Sequence, residues 1–530
     1  MSHDSASGAR ALAARATADD AEAAANGGTA PSDLGGVAGV APPFPPGDYD
    51  VTVVGSGPGG LQTSYWLRRF GVQHAVLSRD GAPAGMFQRF PIFQRLITWT
   101  KPDAPVARTT REYEWYDHNS LLADEPELKA LVPGFMDRAF DLPSRSEMEA
   151  GIAAFANKAA LRVRYGCTWE STRYDGDRVV LATTDGDYSS RAVVFAVGVT
   201  KPWFAAVPGL EHGAHYVDAM EPERYADRTV FIVGKRNSGF ELAQGLLPWA
   251  RSIFLASPRP VQTSALALSP LRVRYLHPYD EYARGGPGTY VLDVAIERID
   301  RHANGFRVVA NGTTWDGRLV LDVDDVIAAT GFQTPMGDLP RIGLVTVNDG
   351  RVPALTPFWE SVSLPGVYFA GNASQGAKGL AKRGAGASST AVNGFRYNAR
   401  VLAQHIAETL NVRTSEQAPI ADLGSFLLHE LSTAPELWVQ KGYLCRVVGR
   451  GRTGLVDGGV LPLAHFLDSR DGDAAAASVE VDERGAIVPT IYVRRAGEIS
   501  EHLLTPHPLH EYSSDVYTKE IEHVLRQLPA

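Results

Sequence analysis

Twice along the chain a short run of β-branched and apolar residues breaks at a glycine-rich turn and gives way to apolar positions at helical spacing. Tyr49 to Val54 reads as a strand, Gly55-Ser-Gly57-Pro58-Gly59-Gly60 as the turn, and Leu61 to Phe70 as the helix, with a second strand at His74 to Leu77. Thr229 to Val233 repeats the plan through Gly234-Lys-Arg236-Asn237-Ser238-Gly239-Phe-Glu241 and a helix to Leu247, followed by a strand at Ser252 to Ala256. Ser190 to Gly198 and Asp325 to Gly331 form a matched pair of apolar strands, each ending in a small residue and a glycine. Val367 to Gly371 with Asn372 reads as a last strand and turn, and Ala387 to Thr409 as a long helix. The pattern predicts an α/β chain of two nested Rossmann-like dinucleotide-binding domains. The first covers 48–205 and 325–410, the second is inserted at 206–324, and 411–530 forms a mainly helical C-terminal extension.

The turns carry the chemistry. Gly55 makes the tight bend, Gly57 lets backbone approach a pyrophosphate, and Gly60 lets helix pack on strand, with the helix N-terminus facing the phosphate charge. The acid that grips an adenosine ribose belongs about 20 residues further on. Ser78 stands there, followed by Arg79, and a neutral hydroxyl binds more weakly than a carboxylate. In the second turn Arg236 replaces the middle glycine, so its Cβ crowds a pyrophosphate unless the turn is wider, while Asn237 and Ser238 are able to cap the helix. Ser257 takes the place of an NAD-selecting acid, and Arg259 suits a 2′-phosphate, which favours NADPH.

Composition narrows the classes. A formal charge of −9 and a pI near 5.9 argue against a nucleic-acid partner. The two cysteines, Cys167 and Cys445, lie far apart, so neither a disulfide framework nor a redox dithiol can be drawn, and both read as inert core thiols. The Ala-, Gly- and Pro-rich stretch 1–47 reads as a disordered tail with at most a weak helix at Ala11 to Ala25. With no apolar run long enough for a signal or a bilayer span, a cytoplasmic protein without a membrane partner is expected. His502, His507 and His510 fall among prolines, which argues against a metal site.

The order of these motifs resembles that of class B flavin monooxygenases and their relatives, including N-hydroxylases and Baeyer-Villiger enzymes. The segments Gly85 to Lys101, Asp117 to Leu122, Asn237 to Glu241 and Asn393 to Tyr397 are similar to the FAD-dependent oxidoreductase domain-containing family, over roughly residues 48 to 410. Three positions depart from the pattern: the linker signature survives only as Val207-Pro-Gly209 with His215 and Tyr216, the ribose acid is Ser78, and the middle glycine of the second turn is Arg236. The resemblance implies FAD in the first domain and NADPH in the second, with O2 and a small molecule, such as an amine, as partners. It implies oxygenation through a flavin C4a-hydroperoxide. Gly85, Met86 and Phe87 would cover the isoalloxazine edge, Gly198 and Gly331 close the two strand ends, and Gly371 and Asn372 meet the ribityl chain. Thr100, Lys101 and Asn119 are the polar candidates beside the flavin, with Trp99, Trp115 and Tyr116 as substrate walls. An oxidase or reductase without oxygen insertion, and a flavin-binding adaptor for a protein partner, stay open as alternatives. The extension would cap the substrate pocket or form a homodimer contact.

Overall fold

A computed structural model describes residues 42–89, 95–219, 221–261, 288–382, 388–413, 418–451, 454–482, 485–512 and 515–525. Residues 1–41 of the expected tail, with its weak helix, lie outside them. The tail ends earlier than position 47, because Tyr188 Oη donates to Phe44 O (2.7 Å) and Tyr49 Oη to Pro45 O (2.8 Å).

The first domain begins with β1 (Gly47–Val54), α1 (Pro58–Arg69) and β2 (His74–Ser78), and α2 (Arg145–Lys158) leads to β3 (Arg164–Tyr165). A hairpin of β4 (Trp169–Asp175) and β5 (Arg178–Thr183) then returns as β6 (Gly186–Phe195). The sheet order is β3-β2-β1-β6-β5-β4. β1 pairs in parallel with β2 and β6, as a βαβ unit requires. A full capping box starts α2: Ser144 accepts from Glu147 N–H while the Glu147 carboxylate accepts from Ser144 N–H.

β7 (Lys201–Pro202) carries the chain out, and β8 (Ala214–His215), β9 (Thr229–Val233), α3 (Asn237–Leu246) and β10 (Ser252–Ser257) build the second domain. A meander of β11 (Thr289–His302), β12 (Gly305–Gly312) and β13 (Arg318–Val323) precedes β14 (Asp325–Ala328), and the sheet order is β13-β12-β11-β10-β9-β14-β8. Here the sequence boundary at 324 is corrected. β14 pairs in parallel with β9, as β6 does with β1, so it closes the second domain. The crossing falls at β15 (Phe332–Gln333), which pairs antiparallel with β7. The short hairpin β16 (Thr346–Val347) and β17 (Val352–Pro353) follows, then β18 (Val367–Phe369), which joins β6, and α4 (Val392–Thr409).

The extension differs from expectation. It holds α5 (Leu423–Thr433), α6 (Pro435–Val439), α7 (Leu463–Asp468) and α8 (Asp515–Leu525) around a five-stranded antiparallel sheet. The strands are β19 (Leu444–Gly451), β20 (Gly454–Pro462), β21 (Ala474–Val481), β22 (Ile487–Arg495) and β23 (Glu498–Leu503), in the order β20-β19-β21-β22-β23. β21 opens with four alanines, strong helix formers, yet every one of its residues is buried in the sheet. Small side chains let other elements pack on both faces, and that burial outweighs propensity. The core is continuous with the first domain: Leu427, Leu437, Ala475 and Ile491 belong to the same apolar cluster as Val53 and Phe369.

Burial also sets a pH dependence. His118 and His405 are held down to about 4 by loss of hydration. The unfolded chain takes up protons at both as pH falls below about 6.5, and the folded chain does not until about 4. Stability is therefore complete above about pH 6.5 and lost on acidification through this window, by about 1.4 kcal/mol per pH unit for each histidine. His405 stacks on Phe358 with ring centroids 4.0 Å apart, so His405→Phe keeps the packing. Urea unfolding midpoints measured across the window should depend less on pH in this variant than in the wild type; an unchanged slope would refute the assignment.

Candidate functional site

Backbone packing too tight for side chains builds both glycine turns. A Cβ on Gly55 would lie 2.5 Å from Ala196 O, and one on Gly234 2.4 Å from Ala329 O. Gly60 and Gly239 repeat this inside the turns, at 1.9 Å from Gly55 O and 2.2 Å from Gly234 O. Gly55 and Gly234 have φ of +119° and +126°, where a side chain is strained. The two turns are thus the same device, and the matched strand ends are what each packs against. Gly57 and Arg236, at the middle positions, are N-cap residues with extended backbone (φ −75° and −115°), so Arg236 sits there without strain.

A cavity of about 690 Å³ opens in front of the first turn and reaches the second domain. Of the residues expected to bind the cofactors, Gly55, Gly57, Pro58 and Gly59 line it, with Ser78, Arg79, Gly85, Met86, Phe87, Gly198, Gly371 and Asn372; Asn237 and Ser238 line its far wall. Gly60, Gly234, Arg236, Gly239, Arg259 and Gly331 do not. Gly60, Gly234 and Gly239 shape the turns from behind, and Arg236 and Arg259 are exposed. The Gly331 carbonyl accepts from Trp203 N–H and His215 Nε2, tying the two crossing strands to β8. Burial lowers the His215 pKa against the opposing effect of the bond to Gly331 O, which favours the neutral ring whose Nδ1 accepts from Val217 N–H.

Helix N-termini converge on the cavity. Pro58 opens α1, Val392 opens α4, and a 3-10 helix starts at Gly371, whose backbone lies so close to Gly59 that a Cβ there would be 2.5 Å from Gly371 Cα. The first turn of α1 contains no acid, so its N–H dipoles face outward unopposed. At α3 the N-cap is Arg236, with no side-chain capping bond, so Asn237 and Ser238 open the helix instead of capping it. Over the first turn, Ala84 holds φ +92°, a costly conformation for alanine, while fully buried and donating its N–H to Ser56 O.

Several roles shift. The Ser78 hydroxyl lies 2.8 Å from that of Ser56 and accepts from Asp80 N–H, so it braces the turn. Asp80, two residues beyond the counted position, lines the cavity with its carboxylate paired to Arg89 (3.0 Å); a wider counting window would have found it. Glu241 lines the second-domain wall, accepting from Tyr216 Oη (2.7 Å) and from Arg95 N–H (3.4 Å) of the first domain. Thr100, Lys101 and Asn119 stand outside the cavity. Asn119 accepts from Thr98 Oγ1 and donates to Thr100 Oγ1, which donates to Asp117, so the three hold the cavity wall at Thr98 from behind. Lys101 is exposed and rests on the rings of Trp99 and Tyr116. Trp99 packs on His118 and Trp115 on Trp438 instead of lining the cavity. Lys235 is buried against Asp293, which lies opposite Ser257, beneath the second turn.

A family model described as pyridine nucleotide-disulphide oxidoreductase matches residues 52–371. The chain belongs to this family. FAD and NAD(P)H are its cofactors. FAD-dependent oxidoreductase domain-containing protein 2 of Danio rerio is 30% identical over 221 residues, 40% of this chain and 31% of the relative, so the match spans about a third of that protein. A ferredoxin–NADP reductase of Salinispora arenicola is 27% identical over 65% of this chain and 93% of its own length. Among solved structures, a flavin-containing monooxygenase from Stenotrophomonas maltophilia covers 68% of this chain and 99% of its own, with a TM-score of 0.51 and 21% identity, a likeness of fold. The family name refers to disulfides, yet Cys167 and Cys445 are both buried and unpaired, and burial raises both thiol pKa values. Among the described residues no cluster of His, Cys, Asp and Glu is placed to hold a metal, and no helix is long and apolar enough to cross a membrane.

The first site fits a flavin dinucleotide. A Cβ at Gly57 meets nothing within 4 Å, which leaves room for a pyrophosphate, and Asn372 Oδ1 is a buried acceptor on the cavity wall without a partner. Gly57→Ala should leave the melting temperature of the flavin-free protein unchanged while weakening FAD binding about ten- to a hundredfold, because the methyl takes the ligand's space. Differential scanning fluorimetry and flavin titration measure the two effects, and undiminished affinity would place the pyrophosphate elsewhere.

Proposed function

We propose that the chain is an NADPH-dependent FAD monooxygenase that uses O2 to oxygenate a small molecule, with an amine as the substrate class. The observation that carries this reading is one cavity, lined from both dinucleotide domains, with the single buried thiol of Cys167 in its wall and no thiol pair. FAD held there would supply hydride transfer from the nicotinamide and onward transfer of the electrons. With no protein dithiol to receive them, the acceptor comes from outside the chain. The Gly85–Gln88 turn and the α4 N-terminus both wall the site, which suits a reaction that must exclude water. Glu241 gives the far wall a carboxylate, which favours a cationic amine over an anion. Arg259, exposed beyond the end of β10, takes the 2′-phosphate of NADPH, and Arg236, at the mouth of α3, the pyrophosphate.

A second reading is a reductase that passes electrons to an external carrier without inserting oxygen, favoured by the near full-length match to the Salinispora ferredoxin–NADP reductase. Stopped-flow absorbance separates the two. Enzyme reduced anaerobically with NADPH and then mixed with O2 should pass through an absorbing species that is neither reduced nor oxidised flavin, and should release little hydrogen peroxide when an amine is turned over. Direct return to oxidised flavin with one equivalent of peroxide would remove the monooxygenase reading. Arg259→Ala should raise the KM for NADPH about ten- to a hundredfold and leave that for NADH nearly unchanged; equal effects on both would remove its role at the 2′-phosphate.

A further inference from the structure

Gln440 is fully buried at the end of α6, in the C-terminal extension, yet its side chain bonds wholly to another part of the molecule. Its Oε1 accepts from Ser388 N–H (2.8 Å), and its Nε2 donates to Ser389 Oγ (3.1 Å) and to Asn398 Oδ1 (2.6 Å). Asn398, on one face of α4, closes the ring by donating from Nδ2 to the same Ser389 hydroxyl (3.0 Å). The next residues of that loop, Thr390, Ala391 and Val392, line the cavity and start α4. The contact has no slack: a Cβ on Gly394, in the first turn of α4, would lie 2.2 Å from Ser388 O.

Two residues after Gln440, Gly442 grips the other flank of the same segment. Lys382 N–H donates to Gly442 O (2.8 Å), and a Cβ on Gly442, whose φ is +67°, would lie 2.6 Å from Lys382 O. The Lys382 ammonium is then paired with Glu501 on β23 (2.7 Å). One stretch of the extension therefore pins both 382 and 388–389, the two described ends of the approach to α4.

We infer that Gln440 is a positioning residue for the flavin: through Ser388 and Ser389 it fixes where the N-terminus of α4 points into the cavity, and so sets the field that the isoalloxazine experiences. The inference rests on the reading of the cavity as the FAD site. A buried amide with all three bonds made holds its partners in one geometry, and a helix terminus acts on a nearby charge only within about its first turn, so a small shift of the loop changes that field. The extension is then part of the redox site.

The test uses purified holoprotein of the wild type and of Gln440→Leu, Ser389→Ala and Asp457→Asn. Ser389→Ala removes the shared hydroxyl from the α4 side and guards against failure of the Gln440→Leu variant to fold. Asp457→Asn breaks an ion pair with Arg446 between β19 and β20, within the extension, and reports on stability alone. Gln440→Leu and Ser389→Ala should both retain FAD, shift the flavin visible maxima and midpoint potential, and slow anaerobic reduction by NADPH about ten- to a hundredfold. Asp457→Asn should lower the melting temperature with spectrum and potential unchanged. Wild-type spectra, potential and reduction rate in Ser389→Ala, together with the same result in any folded Gln440→Leu protein, would overturn the inference. A wild-type protein that neither carries nor takes up FAD would overturn the underlying reading of the cavity.

Discussion

The site depends on backbone lying against backbone at the first turn. Gly55 against Ala196, Gly60 against Gly55 and Gly59 against Gly371 are contacts closer than any Cβ permits, and they bring β1, β6, α1 and the helix after β18 to one point. Because these elements meet without side chains between them, their N–H groups face a common space. Oriented backbone dipoles there would favour an anionic group such as a pyrophosphate. The orphaned Asn372 oxygen borders the same space, and the strained Ala84 is tied to the turn behind it through Ser56 O.

The second domain repeats the scaffold with other chemistry at its centre. Gly234 and Gly239 reproduce the contacts of Gly55 and Gly60 nearly atom for atom, while Arg236 replaces the open glycine. Since that position is extended in both turns, the replacement leaves the fold untouched and adds a cation at a helix mouth. The buried Lys235–Asp293 pair locks the turn to β11. A carboxylate on the wall, Glu241, meets the first domain through Arg95 N–H and the linker through Tyr216, so the two halves are joined at the cavity itself.

The extension shares the core of the first domain on one side of its sheet and keeps a small cluster of its own, around Cys445, Phe466 and Tyr492, on the other. Its α5, α6 and β21 residues share the apolar cluster of the first domain, and Tyr443 stacks on the buried Trp359 while donating to Pro357 O. Buried polar groups follow the apolar ones: Arg111 pairs with Glu430 and Glu436 across the same junction, and Gln440 reaches the α4 loop. An element so joined transmits its position to the cavity.

The sequence by itself determined the two turns, the strands they break and the absence of a dithiol, because those depend on local steric rules: glycine alone accepts the φ of Gly55 and Gly234, and β-branched runs favour strands. It also pointed to part of the cavity wall, such as Gly57 and Ser78, which follow the first turn at short spacing, and Asn372, which follows a strand end. Only the tertiary structure decided the rest. Ala474 to Ala477 form a strand because neighbours bury both faces, which no local propensity records. Asn119 became a brace and Asp80 a wall residue according to which loops pack together. Gln440 lies about 380 residues from Gly57 in sequence, and spacing along a chain holds no information about a contact made only when two distant segments share one core.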